Sequence, residues 1–118
     1  MITPQDLRIG NLVKYNGKVY AIRIIDEEHV ALKDNVSFDY IRYDQIEAIE
    51  ITEEWLLKCG YKKNGSWLRI ENSRFAEALI YEDGVDISVH SFWLKHIKYV
   101  HQLQNLRFAL TGKQLEIK

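Results

Sequence analysis

The residues best suited to chemistry lie in one stretch, where Lys58, Tyr61, Lys62, Lys63, Trp67, Arg69 and Arg74 set cations beside flat rings. On a β-surface such a set could stack bases and contact phosphates, and strand alternation puts Trp67 and Arg69 on the same side. The competing use is structural, with Trp67 in the core and Lys62 and Lys63 solubilising a turn, and it is the preferred one. Nucleic-acid domains tend to be strongly basic, whereas this chain has a formal net charge of −1 and a pI near 6.4. A second polar set lies in the tail, where His101, Gln102, Gln104 and Asn105 interrupt an apolar stripe. It could hydrogen-bond a partner or make buried polar links within the fold, and packing is again preferred.

Enzyme signatures are absent. There is no phosphate-binding glycine loop, nucleophile elbow or His-Glu-x-x-His pattern. His90, His96 and His101 could join Asp86 around a metal, but their spacings do not bring the imidazoles onto one helical face. Cys59 falls in the last turn of a short predicted helix, whereas activated thiols favour helix amino termini or cationic pockets, so it reads as a structural thiol. Glu53-Glu54 and Asp26-Glu27-Glu28 read as helix-start and turn residues. The expectation is therefore no catalytic residue, no cofactor and no metal.

The elements that hold these residues are legible from their turns. Asn16-Gly17 separates Leu12–Tyr15 from Lys18–Ile25, and an Asn-Gly pair between two β-rich runs is a strong hairpin signal, since both residues tolerate positive φ. His29 to Lys33 and Val36 to Arg42 add a third and fourth strand, and Ile46 to Ile51 a fifth. The pattern resembles an SH3-like barrel or an open meander. Thr52 then caps a helix at 53–59, with Glu53 and Glu54 in its first turn and Gly60 as its stop. Asn64-Gly65 and Asp83-Gly84 mark two more hairpins, although Phe75 to Leu79 could instead begin a helix. Tyr99, Leu103, Leu106 and Leu110 form a core-facing stripe, which predicts a helix over 99–111 ended by Gly112. Leu115 and Ile117 alternate with polar residues and could add an edge strand.

With 118 residues, 47% of them apolar, the chain suits a single α+β domain, a barrel-like half at 1–51 and an α+β half at 52–118. No apolar run approaches the roughly 20 residues that cross a bilayer, and the amino-terminal segment lacks the apolar centre of a signal peptide. One cysteine permits no internal disulfide. A cytoplasmic protein without a membrane partner is expected. Charge is uneven along the chain: residues 1–57 carry six Lys/Arg against 11 Asp/Glu, and residues 58–118 carry ten against six. If the two halves formed separate faces, this asymmetry could drive self-association, whereas interleaved halves would cancel it.

Three stretches carry a resemblance: Leu7-Arg8-Ile9-Gly10-Asn11-Leu12-Val13, Ile51-Thr52-Glu53-Glu54-Trp55-Leu56-Leu57-Lys58-Cys59-Gly60, and Ile97-Lys98-Tyr99-Val100-His101-Gln102-Leu103-Gln104-Asn105-Leu106. Together they resemble small uncharacterised proteins of phages and integrated mobile elements, especially those of gut bacteria. The resemblance implies an accessory protein acting on a host protein or on nucleic acid. It transfers no catalytic residue. The combined reading is a non-enzymatic protein-binding module of such an element, with nucleic-acid binding through residues 58–74 as the alternative. Candidate contact residues are Lys62, Lys63, Trp67, Arg69, Arg74, His101, Gln102 and Asn105.

Overall fold

The structure, a computed structural model, describes residues 2–33, 40–70, 77–81, 84–89 and 92–115. It is an α+β fold of two antiparallel sheets and a carboxy-terminal helix. The chain divides into two compact units, Met1–Ile49 and Glu50–Lys118, where the change of period places the division at 51/52.

In the first unit β1 (Leu12–Tyr15), β2 (Lys18–Ile25), β3 (His29–Leu32) and β4 (Ile41–Arg42) form a sheet in that order. The first turn is as expected, with Asn16 at φ 50° and Gly17 at φ 78°. β2 serves two partners. Its first half pairs with β1 and its second with β3, and a register shift between Ile22 and Ile24 supplies the bend. Residues 36–39 of the expected fourth strand lie outside the described residues. A 3₁₀ turn at Tyr43–Gln45 follows β4 and leads the chain back to β1, where Lys14 and Glu47 exchange two backbone hydrogen bonds of 2.9 Å. The predicted fifth strand is thus reduced to this bridge and a second one, Glu50 to Tyr99. The sheet curls into a half-barrel around Leu7, Val13, Ile22, Val30, Leu32, Ile41 and Ile46. Two polar groups tie its loops down: Asn11 Oδ1 accepts from the Arg8 amide at 2.7 Å, and the Tyr43 hydroxyl donates to the Asp26 carbonyl at 2.6 Å.

The second unit opens with α1 (Glu53–Lys58), capped by Thr52, whose Oγ1 accepts from the Trp55 amide at 3.2 Å. The helix stops at Gly60, at φ 92°. A five-stranded meander follows: β5 (Tyr61–Asn64), β6 (Trp67–Ile70), β7 (Glu77–Tyr81), β8 (Gly84–Val89) and β9 (Phe92–Leu94). Residues 77–81 are strand, so the helical option for that stretch fails there, while Phe75 and Ala76 lie outside the described residues. The β5–β6 turn is Gly65-Ser66 rather than Asn64-Gly65, because Asn64 pairs with Trp67 and among the turn residues only Gly65 has positive φ. That is the pattern of a turn with glycine at its first central position. β9 has no counterpart in the sequence reading.

One face of this sheet is core. Leu68, Ala78 and Ile87 stand in register across β6, β7 and β8, and all three are inaccessible to solvent. α2 (Val100–Thr111) ends at Gly112, whose amide donates to the Phe108 carbonyl at 2.8 Å. Its buried side differs from the predicted stripe. Val100, His101, Leu103 and Gln104 are buried, Leu106 is half-buried, and Tyr99 and Leu110 are exposed. Leu115 is buried outside any strand, and Ile117 lies beyond the described residues.

Candidate functional site

The second face of the five-stranded sheet carries the constellation of interest. Lys62 lies opposite Arg69, Trp67 opposite Leu79, Leu79 opposite Asp86, and Ser88 opposite both Glu77 and Trp93. Pairing in register puts all of them on one side. Trp67 and Trp93 come from strands with β7 and β8 between them, yet their ring centroids are only 6.0 Å apart at 31°. The indoles therefore meet over the two intervening strands. At 37% and 41% exposure, both rings still offer much of their surface to solvent. The expectation that Trp67 fills the core is thereby corrected. Leu68, its neighbour, takes the buried position, and strand alternation turns Trp67 outward.

Around the indoles the charges alternate in sign. Arg69 lies 3.7 Å from Glu77, and Lys95 and Lys98 each reach Asp86 at 3.1 Å. Hydrogen bonds from Lys98 and Lys95 hold the Asp86 carboxyl below its ordinary range. The Lys95 ammonium also lies 5.8 Å from the Trp93 ring centre, within cation–π range. Lys62 and Arg69 are like charges placed directly opposite one another, an arrangement that costs a sheet stability. The face thus carries four cations and two carboxylates around an aromatic centre.

No family model, curated protein or solved structure matches this chain. Geometry alone therefore ranks the candidate residues. Lys62, Trp67 and Arg69 share the open face. Lys63 points to the other side of the sheet, where it pairs with Glu53 at 2.7 Å, and Lys58 lies 4.8 Å over the Trp55 ring. Arg74 lies outside the described residues. His101 is buried and stacked on Tyr99, with ring centroids 5.9 Å apart at 9°. Gln102 Oε1 accepts from the amides of Lys98 and Tyr99 at 2.7 and 3.0 Å and so caps α2. Asn105 is half-buried on the same helix. Gln102 thus acts within the second unit.

Among the described residues no group of three or more metal-binding side chains converges. No helix among them is long and apolar enough to cross a membrane. Cys59 is buried, and burial pushes its thiol up to about 11, well away from the acidity of a nucleophilic cysteine. Sequence reasoning missed Trp93 and Lys95. The available signal was period two: Trp93 and Lys95 alternate with Phe92 and Leu94, but no turn dipeptide marks the start of β9.

Proposed function

We propose that this chain is a non-enzymatic protein-binding module and that the open face of its five-stranded sheet is the contact surface. The observation that carries the reading is the exposed Trp67–Trp93 pair. Tryptophan is the residue most enriched among interface anchors, and here two stand together within a rim of alternating charge. With four cations against two carboxylates, the face fits a partner surface that brings apolar side chains to the indoles and a net negative charge to the rim.

Nucleic acid is the weaker reading. Trp67, Lys62 and Arg69 do share a face, which a stacking platform needs, but Arg69, Lys95 and Lys98 already face carboxylates. The resemblance to mobile-element proteins points to a host or element-encoded protein as the partner, and the first unit is read as an SH3-like barrel.

Affinity capture from a bacterial host tests the reading when wild type and Trp93→Ala are compared side by side. The captured protein should be lost with Trp93→Ala and kept with Leu57→Ala, which removes an exposed apolar side chain on α1. Equal capture by Trp93→Ala, with an unchanged thermal melt, would remove the sheet face from consideration.

A further inference from the structure

Neighbouring strands of a sheet lie about 4.8 Å apart, so β6 and β9, with β7 and β8 between them, run roughly 14 Å from one another. The Trp67 and Trp93 ring centroids are nevertheless 6.0 Å apart, so both indoles lean inward across the sheet. Ser88 shows what they cover. It stands directly opposite Trp93 on the open side, yet it is only 6% exposed. Each indole therefore turns one ring face toward the sheet and the other toward solvent, and the 31° between the ring planes makes a shallow, bent aromatic platform.

The cations around the platform are already engaged. Arg69 faces Glu77, Lys95 and Lys98 share Asp86, and Lys62 makes a contact of its own within the fold. A small anion would have to displace one of these partners. An uncharged ligand need not, because a paired carboxylate still accepts hydrogen bonds and a paired guanidinium or ammonium still donates them. Held by their partners, these groups lose little further freedom when they engage a hydroxyl. The face thus sets flat apolar rings beside fixed donors and acceptors. That is the complement of a pyranose, which carries C–H groups on its ring faces and hydroxyls around its edge.

We propose that this platform binds a neutral oligosaccharide of β-linked hexoses with equatorial hydroxyls, successive sugar rings packing on Trp67 and Trp93. The angle between the indoles fits a chain that twists from one ring to the next better than a flat crystalline surface. This is a second class of ligand for the face, and it does not rest on the protein-binding reading.

Cellohexaose is the probe, titrated into the full-length protein by calorimetry and by NMR of the indole N–H signals. Sorbitol, which has the hydroxyls but no rigid apolar face, is the comparator. Saturable binding of cellohexaose is expected, with shifts at Trp67 and Trp93, while Trp55 on α1, the remaining tryptophan of three, stays unmoved. Trp67→Ala and Trp93→Ala should each weaken binding about tenfold, the worth of one aromatic contact. Leu57→Ala should leave it unchanged. Because the ligand is uncharged, affinity should hold from about 0.05 M to about 0.5 M salt, a range over which screening would weaken an ionic ligand. Absence of saturable binding overturns the proposal, as does affinity no greater than for sorbitol. Should an alanine variant fail to fold, the wild-type spectra decide: shifts that spare Trp67 and Trp93 count against the platform. Protein capture that depends on Trp93, together with no binding of cellohexaose, would remove the sugar and leave the protein-binding reading standing.

Discussion

Asp86 gathers Lys98 and Lys95 onto one largely buried carboxylate, and this makes it the clearest acid-sensitive point on the open face. Its folded pKa lies below the ordinary 3.8. The stabilisation it brings is therefore complete above that value and is lost as pH falls through the lower folded value. Chemical denaturation followed from about pH 5 down to about pH 2 should show a shallower loss of stability for Asp86→Asn than for wild type. Superimposable pH profiles would deny the carboxylate this role. Cys59 makes the opposite case. Because burial raises its thiol to about 11, labelling with a thiol reagent at neutral pH should be slow in the native protein and fast only after unfolding. Rapid native-state labelling would mean that the site opens.

At the scale of the element, α2 shows how an amphipathic stripe is misphased by polar residues that pack. The apolar positions Tyr99, Leu103, Leu106 and Leu110 define one face, while the buried set of Val100, His101, Leu103 and Gln104 defines a face rotated from it. Burial also ends early, since Phe108 and Leu110 in the last turn are exposed. Leu103→Ala should therefore cost about 2–5 kcal/mol. Leu106→Ala should cost less than this, and Leu110→Ala should stay within about 0.5 kcal/mol of wild type. Equilibrium denaturation of the three variants gives the order directly, and a larger loss at Leu110 than at Leu103 would contradict the rotation. Pairing governs the end of the four-stranded sheet in the same way. Ile46 to Ile51 has a strand-like composition, but the 3₁₀ turn before it delivers only Glu47 to β1.

For the whole molecule, the charge asymmetry of the sequence largely disappears once the units are known. Met1–Ile49 carries six Lys/Arg against eight Asp/Glu, and Glu50–Lys118 carries ten against nine, balances of −2 and +1. The acidic Glu50, Glu53 and Glu54 belong with the basic residues that follow them, and Glu53 pairs with Lys63. Charge therefore gives little drive to self-association or to the capture of polyanions. Fluorescence polarisation at physiological salt should find nucleic acid bound no tighter than about 10⁻⁴–10⁻⁶ M, the range of non-specific contact. Nanomolar binding that weakens steeply with salt and is lost with Lys62→Ala and Trp67→Ala would instead make the sheet face a base-stacking platform.

The sequence by itself determined the local features: the Asn16-Gly17 hairpin, the Thr52 cap, the Gly60 and Gly112 stops, and the shared side of Trp67 and Arg69. Each depends on a few adjacent residues, through positive φ, a capping oxygen or strand alternation, so each is readable without knowing what packs where. Tertiary structure alone decided which side of the sheet is core, and with it that Trp67 stays exposed. It also brought Trp93 across two intervening strands to meet it and set Cys59, Ile70, Arg107 and Leu115 around one cleft. The physical reason is that these are contacts between residues far apart in the chain. Their partners are fixed by the order and register of the strands and by the rotation of α2, and hydropathy along the sequence carries neither.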